Sequence, residues 1–224
     1  MLSPISWRTP PRAYGPWEWV TSLLTEELVR HGVDVTLFAT LDSQTGARLA
    51  GVAPRGYSED ASLDPRAWEL LHAAHMFERA GEFDVLHCQA DFPALAFSRL
   101  VEAPIVMTIH GMSAPNILPA FAAYADRAHY VSISDADRHP ALAYARTIHH
   151  GLRMEDFPFD PVGGEDLLFF GRLHPDKGAA EAIEAARVSE RRLHIAGLIQ
   201  DQAYFDECVA PHIDGERVIY HGLV

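Results

Sequence analysis

Cysteine is nearly missing from this chain of 224 residues: only Cys88 and Cys208 occur. They lie far apart and lack metal-ligand spacing, so neither a zinc site nor a disulfide framework is implied. A reducing cytoplasm is the simplest setting. No apolar run approaches the roughly 20 residues that a membrane span needs. The start lacks the basic-then-apolar pattern of a signal peptide, and no repeat or low-complexity tract is present. Positive charge is also scarce, with 18 Lys and Arg against 31 Asp and Glu and a net charge of −13. That excludes a general nucleic-acid binder, which needs a basic face, while leaving room for a local basic pocket. His72 and His75 stand one helical turn apart without a third ligand. No Asp-x-Asp metal motif is expected near a strand end.

What is present is an alternation of strand and helix signals. Residues 16–31 carry Trp17, Val20, Leu24 and Leu28 at helical spacing, the expected apolar face. Pro16 suits the first turn and Gly32 ends it. Strands are read at 34–39, 49–54, 83–88, 104–109, 128–133 and 145–148, with helices at 65–80, 93–100 and 117–127. Residues 1–4 look like the stub of a strand, either trimmed or at a sheet edge. Ser134 is read as a helix cap. Proline, glycine and acid over 152–164 mark a linker. A second βαβαβ run follows: strand 167–170, helix 177–189, strand 192–197, helix 201–210 and strand 217–221. The expected class is α/β, with two doubly wound Rossmann-type domains over 1–157 and 158–224 facing one another across a cleft. His87, His110, Ser134, Gly151 and Arg172 end strands and are expected to point into it.

The most telling stretch is 166–178. An apolar strand ends in Gly171, Arg172 follows, and Lys177-Gly178 precede an alanine-rich helix. A helix start offers free N–H groups and the positive end of a dipole, and the two cations add a planar fork and a point charge. This is chemistry for phosphate or pyrophosphate.

Several segments, in order, resemble glycosyltransferase family 4, a retaining group with the GT-B fold. They are Pro10 to Val20, His31 to Ala39, Phe83 to His87, Ile105 to Gly111, Ser132 to Asp135, His150 to Phe157, and Gly171-Arg172 with Lys177-Gly178. The resemblance implies a nucleoside diphosphate sugar as donor substrate, no other cofactor, no metal, and a carbohydrate or small-molecule acceptor. By that likeness Arg172 and Lys177 bind the donor pyrophosphate and stabilise the leaving group. His110 stands at the transferred sugar, and Gly15 and Gly171 let backbone approach the ligand. Gly15-Pro16 departs from the family's frequent Gly-Gly and removes one N–H donor. Acceptor recognition falls to loops 5–16, 41–64 and 111–117. The family's Glu-x7-Glu element, later in its second domain, has no counterpart before Val224, so the second domain is expected to be incomplete. A complementing chain or a second copy would then cover it, and turnover by this chain alone is in question. Two other functions fit the same residues: a non-catalytic, oligomeric sugar- or nucleotide-binding module, and a shortened relative that hydrolyses glycosides with acids such as Glu18 or Asp91.

Overall fold

The computed structural model describes residues 1–111 and 115–224. Residues 112–114, part of the expected acceptor loop 111–117, lie outside them. The chain divides into two compact units, Met1–Arg153 and Met154–Val224.

Unit 1 is a parallel α/β sheet. The strands β1 (Thr36–Phe38) and β2 (Arg48–Ala50) pair with each other, and β3 (Leu86–Cys88), β4 (Ile105–Ile109), β5 (Ala128–Ser132) and β6 (Tyr144–Thr147) pair in that order. Residues 1–3 join the two sets. Leu2 bridges Phe38 on one side and Cys88 on the other. Its N–H donates to the His87 carbonyl at 2.8 Å, while Phe38 N–H donates to the Met1 carbonyl at 2.8 Å. The stub expected at an edge therefore lies in the centre of the sheet. Hydrogen bonds on both sides and complete burial of Leu2 let three residues serve as a strand. The strand order is thus β2, β1, residues 1–3, β3, β4, β5, β6, and it reverses between residues 1–3 and β3. In doubly wound sheets ligands bind at the carboxyl ends of strands flanking such a reversal.

The core lies on one face. Along β4, Ile105, Met107 and Ile109 are buried while Val106 and Thr108 are only half-buried, the period-2 pattern of a strand. The buried side packs with Met76, Phe77, Leu95, Phe121 and Tyr130. Each such side chain contributes roughly 1.5–3 kcal/mol by leaving water. Met76 and Phe77 come from α2 (Pro65–Glu78), whose start is fixed by Pro65 and by the Asp64 carboxylate accepting from Ala67 N–H at 2.9 Å. The segment expected as a helix at 93–100 is a 3₁₀ helix, Phe92–Leu100, and α3 is short, Leu118–Ala123.

Helix α1 (Pro16–Arg30) departs most from its sequence pattern. Its buried residues are Glu18, Thr21, Ser22 and Thr25. Trp17, Val20, Leu24 and Leu28, the expected core face, are exposed or half-buried. Val20, Leu23 and Leu24 instead line a cavity of about 410 Å³, together with His87, Val106, Thr108 and Val131 from the other face of the sheet. On the polar side Glu18 finds a partner outside the helix, Thr21 bonds back to its own helix, and Thr25 Oγ1 is buried without a partner among the described residues. Glu18 Oε1 accepts from Trp7 N–H at 3.0 Å, and Thr21 Oγ1 donates to the Trp17 carbonyl at 2.7 Å. Ser134 was expected to cap a helix, but it closes a turn. It bonds Asp137 through both its hydroxyl hydrogen and its oxygen, and no helix follows.

Unit 2 is a parallel sheet in the order β7 (Leu167–Phe170), β8 (Leu193–Ala196), β9 (Val218–Tyr220). The helix α4 (Ala179–Ser189) crosses between β7 and β8 and buries Ala179, Ile183 and Ala186 against Leu193, Ile195 and Val218. The opposite face is open, with Leu168 and Phe170 exposed. Gly197 has a φ of 151°, and a Cβ there would stand 1.8 Å from the Gly171 carbonyl oxygen. At Gly171 a Cβ would meet only the Phe169 ring, at 3.7 Å. Gly197→Ala is therefore expected to destabilise unit 2 by roughly 3 kcal/mol through backbone strain, with Gly171→Ala near neutral. Thermal unfolding of the two variants checks the contrast, and equal losses would contradict it.

Candidate functional site

In unit 1, beside the strand-order reversal, residues at and just past the ends of β3 and β4 come together. Gln89 follows β3 directly, and His110 follows β4. Gln89 is buried, 3% exposed. Its carbonyl Oε1 lies 2.9 Å from His110 Nε2, and its amide Nε2 lies 2.9 Å from His87 Nε2. Thr108 Oγ1 also reaches His87 Nε2, at 2.9 Å. The His110 ring is sandwiched. Trp17 stacks on one ring contact at 5.2 Å and 19° and His150 on another at 5.2 Å and 27°. Its Nδ1 is buried and meets no hydrogen-bond partner among the described residues.

Burial decides the charge of these rings. Desolvation lowers the His110 pKa to about 3, with His150 and His87 adding to the shift. It lowers His87 to about 4. Both are neutral at physiological pH, so His110 offers hydrogen-bonding capacity and no positive charge.

Gly15 caps α1. Its φ is 146°, and a Cβ would stand 2.8 Å from Pro11 Cβ and 3.2 Å from Glu18 Oε2. Only glycine fits between the Pro11 turn and the buried carboxylate. Glu18 is 2% exposed, and burial raises its pKa to about 7 against the pull of backbone N–H groups of residues 18, 7 and 6. It organises the loop that precedes α1. Asp91 accepts from Phe92 N–H at 2.7 Å and starts a 3₁₀ helix. Of the two acids named for hydrolysis, each is engaged by backbone.

An Asp-x-Asp sequence does follow β5, contrary to expectation: Asp135-Ala136-Asp137. Asp135 accepts from Thr147 Oγ1 at 2.6 Å and Asp137 from Ser134 Oγ at 2.8 Å. Among the described residues no group of His, Cys, Asp or Glu could hold a metal ion. His72 Nε2 donates to the Ser3 carbonyl at 3.0 Å, and His75 packs edge-on to Phe38 at 5.6 Å.

In unit 2, Gly171 and Arg172 leave the carboxyl end of β7. Gly171 N–H donates to the Ala196 carbonyl at 3.0 Å. The Arg172 guanidinium donates through Nη1 to Gln200 Oε1, which aims one arm of the fork and leaves the others available. A 3₁₀ turn, Pro175–Lys177, is capped by His174 Nδ1, which accepts from Asp176 N–H at 3.2 Å. Lys177 is exposed on it, and Gly178, at φ 78°, turns the chain into α4. The expected row of free N–H groups is shorter by one. Ala180 N–H donates to the Tyr204 hydroxyl at 2.9 Å, so Ala179 and Glu181 supply the rest.

The structure thus gathers His110 and His87 in unit 1, and Gly171, Arg172 and Lys177 in unit 2. Sequence reasoning passed over Gln89, which belongs to no motif, and took Trp17 for core. The position of Gln89 directly after a strand next to His87 was the available signal.

No curated protein matches the chain. Among solved structures it is similar to AviGT4, a glycosyltransferase involved in avilamycin A biosynthesis, with 24% identity and a TM-score of 0.66 over 100% of this chain and 62% of that one. It is similar at 13% identity and TM-score 0.50 to a structure described as a UDP-N-acetylglucosamine 2-epimerase from Listeria monocytogenes, over 91% and 65%. MurG from Acinetobacter baumannii matches at 12% and 0.43, over 92% and 63%. The chain therefore spans under two thirds of the length of each. The first two likenesses show the fold: an α/β protein with parallel sheets of the GT-B kind. The family model described as Glycosyltransferase Family 4 matches residues 18–155, more than half of the sequence, and the chain belongs to that family.

Proposed function

We propose that the protein takes part in transfer of a sugar from a nucleoside diphosphate sugar to a carbohydrate or small-molecule acceptor, with retention at the anomeric carbon. The observation that carries this reading is the loop of unit 2. A strand end, Gly171, Arg172, Lys177 and the start of α4 converge there, and family membership supports it. Arg172 and Lys177 bind the pyrophosphate and take up charge as the sugar–phosphate bond breaks, the role that positioned cations fill in phosphate departure. No metal and no further cofactor are called for in this reading, because the two cations do that work. His110, neutral and half-buried, meets the sugar through hydrogen bonds. The protein acts in the cytoplasm. The open face bearing Leu168 and Phe170 is where a second copy or a complementing chain belongs in this reading.

Isothermal titration with UDP-, GDP- and ADP-sugars tests the donor site, and product anomers read by NMR test retention. One donor class is expected to bind in the micromolar to millimolar range typical of enzyme substrates. No heat with any of them, also after mixing with a complementing chain, would end the proposal. Binding without turnover in that mixture would leave a sugar- or nucleotide-binding module in its place.

A further inference from the structure

We infer that Gln89 is a positioning residue that sets the two histidines of unit 1 in opposite neutral tautomers, His110 protonated at Nε2 and His87 at Nδ1. This rests on the glycosyl-transfer reading only for its catalytic consequence. The argument is one of donors and acceptors. A primary amide has one acceptor end and one donor end. Gln89 Oε1 faces His110 Nε2 at 2.9 Å, so that nitrogen carries a hydrogen. Gln89 Nε2 faces His87 Nε2 at 2.9 Å, so that nitrogen offers a lone pair. The Thr108 hydroxyl lies 2.9 Å from the same nitrogen and, able to donate or accept, is compatible with this assignment without deciding it. Gln89 is 3% exposed, so water does not compete with either bond.

The consequence falls on the remaining atom of His110. With Nε2 spent on Gln89, its Nδ1 is a bare acceptor, buried and without a partner among the described residues. Stacking by Trp17 and His150 holds the ring against rotation. A group that meets this nitrogen must bring a hydrogen. A sugar hydroxyl does so and a phosphate oxygen does not, which separates the work of His110 from that of Arg172 and Lys177.

The test is two-bond ¹H–¹⁵N correlation on protein with ¹⁵N-labelled histidine at neutral pH, in the absence of any substrate. The expected spectrum has His110 in the Nε2–H form and His87 in the Nδ1–H form. In Gln89→Glu both carboxylate oxygens accept, so His87 is expected to move its hydrogen to Nε2 while His110 keeps its own. Gln89→Met is expected to lower turnover about tenfold, the value of one hydrogen bond, with the donor KM unchanged. Finding His110 in the Nδ1–H form in the unmutated protein overturns the inference, as does a His87 tautomer that ignores Gln89→Glu. The spectrum is read without sugar or nucleotide. Failure of glycosyl transfer therefore shows up in the titrations above and leaves the tautomer result standing on its own.

Discussion

Arg172→Ala is expected to lower sugar transfer by about 10²–10³-fold, the cost of removing one preorganised group from developing charge. Three features of unit 2 concentrate the effect on this residue. The backbone contribution is reduced, because Tyr204 takes the Ala180 N–H at the start of α4. Lys177 is exposed on its 3₁₀ turn, where water screens a charge more strongly than it screens a half-buried one. Arg172 alone is both held and half-buried, with Gln200 fixing one guanidinium nitrogen. Arg172→Lys keeps the charge and loses the fork, so it is expected to recover only part of the loss. Lys177→Ala is expected to cost less than Arg172→Ala, and Gln200→Ala to weaken nucleotide binding without removing it. The measurements are donor affinity by titration and turnover with saturating acceptor. Thermal unfolding should be unmoved, because the Arg172 side chain has no part in the apolar core of unit 2. If Arg172→Ala binds and turns over donor as the parent does, the loop of unit 2 is not a pyrophosphate site.

Much of this arrangement was legible in the sequence, and the exceptions share a cause. Strand β4 announced itself because five apolar or β-branched residues in a row suit a strand buried in a parallel sheet. The loop at Gly171 was legible because glycine, cation and helix start lie within a few residues of one another. The place of residues 1–3 was not: they read as a strand stub, trimmed or at an edge, and stand in the centre of the sheet. Three residues carry no periodicity, and their strand character comes wholly from neighbours 35 and 85 positions away, as in the bonds of Met1, Leu2 and Ser3 to Phe38 and His87. Helix α1 misled for a related reason. Its apolar stripe is real, but Glu18 finds backbone donors on the preceding loop, and a buried polar group with partners can displace an apolar one from the interior. Gln89 was invisible since a lone glutamine has no spacing to recognise. Gly197 was passed over for Gly171, although the Gly171 carbonyl is what forbids a side chain at 197. In each case a contact between distant segments decided the outcome, and local pattern cannot encode it.

Acid should unfold unit 1 well above the pH at which its carboxylates titrate. Burial lowers His72 to about 4, His87 to about 4 and His110 to about 3, against an ordinary histidine value near 6.5. A base whose folded pKa is depressed stabilises the fold above its unfolded value. That stabilisation is lost as pH falls through the window down to the folded value. Each histidine is worth up to roughly 3–5 kcal/mol over this window, so three together rival the 5–15 kcal/mol that holds a typical domain. Glu18 opposes them. Its folded pKa is raised to about 7, so the stability it contributes is full below its unfolded value and disappears as pH rises through 7. Three terms against one leave a net slope of roughly 2–3 kcal/mol per pH unit near pH 5.5, stability rising with pH, and the curve should flatten a little above pH 7, where both effects fade. Glu18→Gln removes the opposing term. The acid side should steepen by about one histidine's share, and stability at pH 8 should not fall with the charge, because the amide oxygen can still accept from Trp7 N–H. His72→Gln should shallow the slope by about the same share. Urea unfolding followed by tryptophan fluorescence at pH 5, 6, 7 and 8 reads all three curves. A stability that stays level from pH 5 to 7 would mean that these histidines are solvated in the folded protein, and the part-buried His110–Gln89–His87 network could not then exist as described.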